Sequence, residues 1–133
     1  MQALKVASLN INGGRSAQKR ALISEIVKRK KIDVVFLQET HSDVLTEADW
    51  SLWWRGQLFF SHGSSHSAGV AVCFSPSLDV RILSSIVIEN GRALMVKAEI
   101  NNFIFSFINV YAQNLGPERL SLFKKNKAGL SQL

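Results

Sequence analysis

Three clusters of polar residues each follow a short apolar run of the kind that forms a β-strand. They are Asn10-Ile11-Asn12-Gly13-Gly14, Gln38-Glu39-Thr40-His41 and Asn109-Val110-Tyr111-Ala112-Gln113-Asn114. Loops at strand ends are the usual places for ligand-binding side chains on a rigid scaffold. If the three strands pair in one sheet, the clusters converge at one edge of it.

The side chains in these clusters include one carboxylate, several amides, one phenol and one imidazole. Mg²⁺ is often held by one or two carboxylates together with a substrate phosphate. Amide groups and a phenol hydroxyl can donate hydrogen bonds to phosphate oxygens. Together these side chains indicate metal-assisted chemistry on a phosphoester.

Taken singly, each residue also has a purely structural interpretation. Asn10 and Asn12 are common turn residues, and Glu39 could be a solvated residue at a strand end. His41 could lie on the surface, and Tyr111 could be a packed ring with an exposed hydroxyl. The functional interpretation therefore depends on the shared placement of the clusters.

The first half of the chain predicts a strand, a helix and a second strand. Leu4–Leu9 is a short apolar run typical of a buried strand, and Ser16 is a plausible N-cap for a helix that reaches about Lys30. Ile32–Leu37 is almost continuously apolar, which predicts a strand that is buried on both faces. This order is typical of a βαβ-like opening.

The second half predicts mostly strands. A short helix is predicted to start at Glu47, and a strand is predicted to end near Phe60. Four β-rich runs then follow at 69–74, 80–88, 94–100 and 103–110, separated by turn residues, and they predict an antiparallel meander. A further helix is predicted from Pro117 to Lys125.

Composition bounds the class of protein. A length of 133 residues predicts one domain, 1–133, with no second domain. The net charge of +6 favours polyanionic partners, although the run Lys28–Lys31 is also explained as a favourable end of the predicted helix. Cys73 is the single cysteine, so no disulfide can form within the chain, and it is predicted to be a small core residue.

No signal peptide is visible, and no apolar run approaches the roughly 18–20 residues of a membrane-spanning helix. These observations predict a soluble intracellular protein, nuclear or cytoplasmic. We expect no membrane partner and no small-molecule cofactor.

Four segments together resemble the opening of the endonuclease/exonuclease/phosphatase superfamily. They are Ser8-Leu9-Asn10-Ile11-Asn12-Gly13, Val35-Phe36-Leu37-Gln38-Glu39-Thr40-His41, Gly69-Val70-Ala71-Val72 and Ile108-Asn109-Val110-Tyr111-Ala112. The combination is most similar to the apurinic/apyrimidinic-type endonuclease domains of non-LTR retrotransposons. The resemblance implies an α/β (α+β) fold, namely part of a two-sheet, helix-flanked sandwich of the DNase-like type that is truncated before its second half.

The resemblance also implies roles for particular residues. Glu39 would be a Mg²⁺ ligand, Asn12 would support the metal and phosphate site, and Tyr111 would hydrogen-bond a phosphate oxygen. Nucleic-acid binding is expected at Asn10, His41 and Asn114. The expected function is magnesium-dependent nicking of DNA.

The sequence departs from the superfamily in its later motifs. It contains no Asp after Asp79 and no His after His66, so the Gly-Asp-Phe-Asn-like and Ser-Asp-His motifs have no counterpart. We therefore expect weak metal binding and no catalysis by this chain, and we expect it to need a missing carboxy-terminal half, or self-association, for stability. The alternatives are a non-catalytic product that binds nucleic acid weakly, and a phosphatase or phosphodiesterase acting on lipid or inositol phosphates.

Overall fold

The computed structural model of the chain describes residues 3–63 and 67–112. The helix predicted at Pro117 and the candidate residue Asn114 lie outside these ranges. The elements are β1 (Val6–Asn10), α1 (Ala17–Lys30), β2 (Val34–Gln38), α2 (Glu47–Trp53), β3 (Leu58–Ser61), β4 (Val70–Phe74), β5 (Arg81–Glu89), β6 (Ala93–Ile100) and β7 (Phe103–Val110).

The first sheet has the strand order β1-β2-β4-β3. β1 and β2 are parallel and α1 connects them, so the predicted βαβ opening is confirmed. The Ser16 side chain accepts a hydrogen bond from the Lys19 amide and caps α1, as predicted. The helix ends where Lys31 adopts a left-handed conformation.

The second sheet is an antiparallel meander with the order β5-β6-β7. The prediction that β4 begins this meander is wrong, because β4 lies between β2 and β3 in the first sheet. All five residues of β4 are buried, which requires cover on both faces and neighbours on both edges. Most residues of β5 are exposed, so β5 is suited to a sheet edge.

The two sheets pack face to face, and the helices cover the other side of the first sheet. One core cluster lies between α1, α2 and the first sheet and includes Ile23, Val27, Trp50 and Cys73. Burial raises the pKa of the Cys73 thiol, as expected for the core residue that was predicted. A second cluster lies between the sheets and includes Val34, Val72, Phe74, Leu94, Val96 and Phe107. This arrangement is the helix-flanked two-sheet sandwich that was predicted.

The outer face of the second sheet carries apolar side chains without cover from any described residue. Ile86 on β5 is 49% exposed, and Ile104 on β7 is 59% exposed. Neither helix in the described ranges has the length and apolar character needed to cross a lipid bilayer.

Candidate active site

The loops that follow β1 and β2 run side by side. The strands are in register, with Asn10 opposite Gln38. Beyond them, the Gly13 amide donates to the Glu39 carbonyl at 2.7 Å, and the Gly14 amide donates to the Thr40 carbonyl at 3.0 Å. Parallel pairing therefore brings the first two polar clusters together at one end of the sheet.

Several residues of these loops have left-handed backbone conformations. Asn12, Glu39 and His41 have φ values of 46°, 53° and 51°, which non-glycine residues adopt at an energetic cost. The Lys19 ammonium donates to the carbonyls of Ile11 and Asn12 at 2.8 and 2.7 Å. The Lys19 side chain on α1 thereby holds the Asn12 loop in place.

His41 lies against the first loop. A Cβ atom at Gly13 would stand 3.0 Å from the Nδ1 atom of His41. Gly13 also has φ of 97°, so the close approach of the ring and the backbone conformation both require glycine at this position. The imidazole of His41 is partly exposed beside the Asn12 loop.

Tyr111 reaches this site from the second sheet. Its side chain is near enough to the Glu39 carboxylate for the two groups to interact, and its backbone amide donates to the Arg92 carbonyl at 2.7 Å. Burial and then the negative charge and hydrogen bond of Glu39 raise the pKa of Tyr111, while the positive charge of Arg92 lowers it. Glu39 and Tyr111, which come from different sheets, thus lie near each other at the site.

The three strands do not pair in one sheet. Among the described residues, β7, which precedes Tyr111, pairs with β6 in the second sheet. The clusters still meet because the two sheets stack face to face, so that ends of strands from both sheets lie at one edge of the sandwich.

Asn109 fastens the two sheets beneath the site. Its side-chain amide donates to the carbonyls of Leu37 and Ala71 at 3.0 and 2.8 Å, and its oxygen accepts from Gln38 at 2.9 Å. Asn109 is only 1% exposed, so every polar contact of this side chain is internal. These contacts set the position of β7, and hence of Tyr111, relative to Glu39.

The structure thus brings together the Asn12 loop, Glu39, His41 and Tyr111. Asn10 is exposed nearby, and its side-chain oxygen accepts from the Asn12 amide at 3.3 Å, which is a turn contact. Asn114 lies outside the described residues.

Four further residues at the site were not predicted. Thr40 belonged to the second polar cluster but was assigned no role, and Lys19 and Arg92 had no recognisable signal, because their roles depend on backbone groups whose positions follow from the folded loops. Asn109 belonged to the third polar cluster, and its position inside an apolar strand is the one available signal, since a buried amide there requires partners.

The donor set can be compared with the needs of a divalent cation. Within residues 3–63 and 67–112, no three His, Cys, Asp or Glu side chains cluster as a ready-made metal site. The Glu39 carboxylate beside the amide-bearing Asn12 loop instead provides hard oxygen donors around one negative charge. This set fits Mg²⁺, which usually keeps several waters and takes one or two protein carboxylates.

Solved structures share this fold. TDP2 from Caenorhabditis elegans matches with a TM-score of 0.67 and 19% identity, over 97% of this chain and 42% of that one. An AP endonuclease from Archaeoglobus fulgidus matches with a TM-score of 0.65 and 22% identity, over 92% of this chain and 49% of that one. TDP2 from D. rerio, complexed with a single-strand DNA product, has a TM-score of 0.67 and 16% identity, over 91% and 52% of the two chains.

Sequence comparison adds a relative and a family. The transposon TX1 uncharacterized 149 kDa protein of Xenopus laevis is 35% identical over 126 residues, which cover 95% of this chain and 10% of the relative. The model of the endonuclease/exonuclease/phosphatase family matches residues 7–125. The chain therefore belongs to the endonuclease/exonuclease/phosphatase family.

Proposed function

We propose that this chain supplies the metal- and phosphate-binding part of a magnesium-dependent DNA endonuclease site of the retrotransposon type. The observation that carries the proposal is the convergence of three parts at one edge of the sandwich: the Glu39 turn is hydrogen-bonded to the loop after Asn12 through the Gly13 amide, and the Tyr111 side chain lies near the Glu39 carboxylate. A ligand for a cation and a hydrogen-bond donor to a phosphate oxygen are thereby adjacent.

Glu39 and Asn12 are the residues that would hold Mg²⁺. The ion would supply Lewis-acid polarisation and charge neutralisation at the phosphate. Tyrosine is protonated at neutral pH and the pKa of Tyr111 is raised further above the ordinary value, so its hydroxyl can act as a hydrogen-bond donor. The left-handed turns at Asn12 and Glu39 orient the two loops before any ligand arrives.

DNA is favoured over lipid or inositol phosphates as the substrate class. The sequence relative is a transposon protein, and one similar solved structure is complexed with a DNA product. The net charge of +6 also favours an extended polyanion, because neutralising several phosphates releases counterions. His41 and Asn10, at the rim of the site, are the side chains we expect to contact the nucleic acid.

Proton abstraction from water is the step that this chain lacks. The Asp and the Asp–His pair implied by the resemblance have no counterpart in its sequence. Without a general base near the phosphate, binding alone does not activate water. We therefore expect the 133-residue chain to bind a divalent cation and DNA weakly and not to cleave.

The proposal is tested by cation binding, DNA binding and plasmid nicking with the 133-residue chain. Mn²⁺ should broaden the amide NMR signals of Asn12, Glu39 and Tyr111, and Glu39→Ala should abolish the broadening. Glu25→Ala removes the same charge from an exposed site on α1 and is the matched control. DNA binding should weaken with salt and exceed binding of inositol hexakisphosphate, and no nicking should occur.

Three outcomes would contradict the proposal. If Mn²⁺ does not broaden the signals of the Glu39 loop, the proposed metal site does not exist. Preferential binding of the inositol phosphate would replace DNA with a small phosphate ester as the substrate class. Nicking that Glu39→Ala abolishes would show that the chain is catalytically complete.

A further inference from the structure

Four polar side chains form a continuous hydrogen-bonded relay behind the Glu39 loop. The Thr40 hydroxyl lies 2.7 Å from the Ser42 hydroxyl, and the Ser42 hydroxyl lies 3.0 Å from Nδ1 of His62. Nε2 of His62 lies 2.5 Å from a carboxylate oxygen of Glu47, at the start of α2. The relay therefore joins Thr40, Ser42, His62 and Glu47 in that order.

With an ionised Glu47 carboxylate and a neutral His62 ring, one direction follows for every hydrogen bond in the relay. An ionised carboxylate can only accept, so Nε2 of His62 donates to Glu47 and Nδ1 of a neutral ring must accept. The Ser42 hydroxyl then donates to His62, and the Thr40 hydroxyl donates to Ser42. The orientation of the Thr40 hydroxyl is thus determined from α2.

The same residue types occur in hydrolase triads, but the relay cannot act as one. Ser42 and Thr40 are both 0% exposed, so neither hydroxyl can reach a substrate. The aromatic ring of Phe60 stacks on the imidazole of His62, with centroids 4.9 Å apart and planes at 20°. This packing fixes the ring in place, which suits a structural link better than a proton shuttle.

The relay ends between two strained residues. Thr40 lies between Glu39 and His41, whose φ values are 53° and 51°. The Thr40 and His41 amides donate to the carbonyls of Gly69 and Ala68, both at 3.0 Å. A Cβ atom at Gly69 would stand 2.3 Å from the Thr40 hydroxyl, so glycine is required there to make room for the relay.

We propose that the relay of Thr40, Ser42, His62 and Glu47 positions the turn that carries Glu39, so that α2 and the segment after β3 hold the metal-binding carboxylate in place. The four are positioning residues, since none of them touches the reacting atoms. The inference rests on the proposed function, because that function makes Glu39, which the turn carries, a metal ligand. Strain at Glu39 and His41 would relax if Thr40 were released, and the carboxylate would move away from Tyr111.

The test compares variants of the 133-residue chain by NMR. Ser42→Ala breaks the buried middle of the relay. Glu47→Leu removes its end, where the side chain is 47% exposed and folding is not at risk. Glu47→Gln keeps an acceptor for His62 without the charge. Trp54→Phe is the matched control, because it deletes another buried hydrogen bond, from Trp54 to the Phe74 carbonyl, at the far end of β4.

Two readouts separate positioning from general stability. Amide exchange at Thr40 and His41 should accelerate about tenfold in Ser42→Ala and Glu47→Leu, the size expected for one lost buried hydrogen bond. Exchange elsewhere should be unchanged, and Mn²⁺ broadening at Glu39 should weaken in both variants. Glu47→Gln should restore both readouts, and Trp54→Phe should leave the turn unaffected.

Acceleration spread evenly over the chain, or no acceleration at Thr40 and His41, would overturn the inference. So would a failure of Glu47→Gln to rescue the turn. If Mn²⁺ does not bind even the unmodified chain, the proposed metal function fails. Exchange that accelerates at the turn alone would still establish that the relay holds it.

Discussion

The two sheets of this protein differ in how they are covered. The first sheet has helices on one face and the second sheet on the other, and every residue of its central strand β4 is buried. Within residues 3–63 and 67–112 the second sheet packs on one face, and its outer face exposes Ile86 and Ile104. Glu39 follows a strand of the covered sheet, whereas Tyr111 follows a strand of the half-covered sheet.

This difference teaches where the stability and the weakness of the site lie. The loops carrying Asn12 and Glu39 are fixed to a fully packed sheet by backbone hydrogen bonds, Lys19 and the relay. Tyr111 depends on how firmly the second sheet stacks on the first. The position of Tyr111 relative to Glu39 is therefore fixed only as firmly as the two sheets are packed together.

The largest expected effect comes from comparing phenylalanines on the two sheets. Phe74→Ala, at a fully buried position between the sheets, should lower the free energy of unfolding by about 3–5 kcal/mol. Phe103→Ala, at a position that is 55% exposed, should cost less than about 1 kcal/mol. Urea unfolding measures both. Equal losses would show that Phe103, which shares the inter-sheet face with Phe105 and Phe107 but lies at its periphery, is covered in solution.

A smaller effect is expected for the contact that fastens one sheet to the other. Asn109→Ala should cost about 1–3 kcal/mol, because it leaves buried polar groups of Leu37, Ala71 and Gln38 without their partner. Ser106→Ala, at an exposed position on the same strand, is the control. Tyr111 fluorescence and thermal unfolding should change together in Asn109→Ala. Unchanged unfolding would mean that the sheets are held by apolar packing alone.

The exposed apolar face should cause self-association. Ile104→Lys should raise the monomer fraction in sedimentation velocity, with a change in stability within about 0.5 kcal/mol. Leu45→Lys replaces an aliphatic residue that is 89% exposed in another part of the molecule, and it should leave association unchanged. A chain that is already monomeric and unfolds cooperatively at micromolar concentration would contradict the expected need for a covering partner.

The smallest effect is expected in the titration of Tyr111, the single tyrosine of the chain. In metal-free buffer its pKa should lie above the ordinary value of 10.0, and Glu39→Gln should lower it. Because the folded state binds this proton more tightly, the contribution to stability is present below pH 10.0 and is lost as pH rises through the raised pKa. Glu25→Gln should have no effect. If the pKa of Tyr111 does not change in Glu39→Gln, the Glu39 carboxylate and the Tyr111 hydroxyl do not interact across the two sheets.

The sequence predicted those parts of the fold that depend on local signals. Ser16 marked the start of α1, and the apolar run before Gln38 marked β2. The partner of β4 was not predictable, because Ser75-Pro76-Ser77 signals a turn without indicating whether the chain stays in the same sheet. The complete burial of β4 is a property of the assembled layers.

The residues of the candidate site were predicted, but the contacts that hold them in place were not. Glu39 and Tyr111 were singled out by residue type and placement, and the structure brings them near each other. The relay and the Asn109 contacts were not predictable, because they join residues separated by up to 72 positions and follow from how the layers stack. Roles for Asn10, Asn12, His41 and Asn114 remain predictions.

The dependence of Glu39 on Tyr111 has a consequence for synthesis of the protein. The carboxylate and the phenol are separated by 72 positions in the numbering of the chain (111 minus 39), and Tyr111 directly follows β7, so they cannot meet until all of β7 has left the ribosome. Until then a nascent chain carries an acidic turn without its hydroxyl partner. Assembly of the site is consequently among the last events in forming this part of the protein, and it coincides with closure of one sheet over the other.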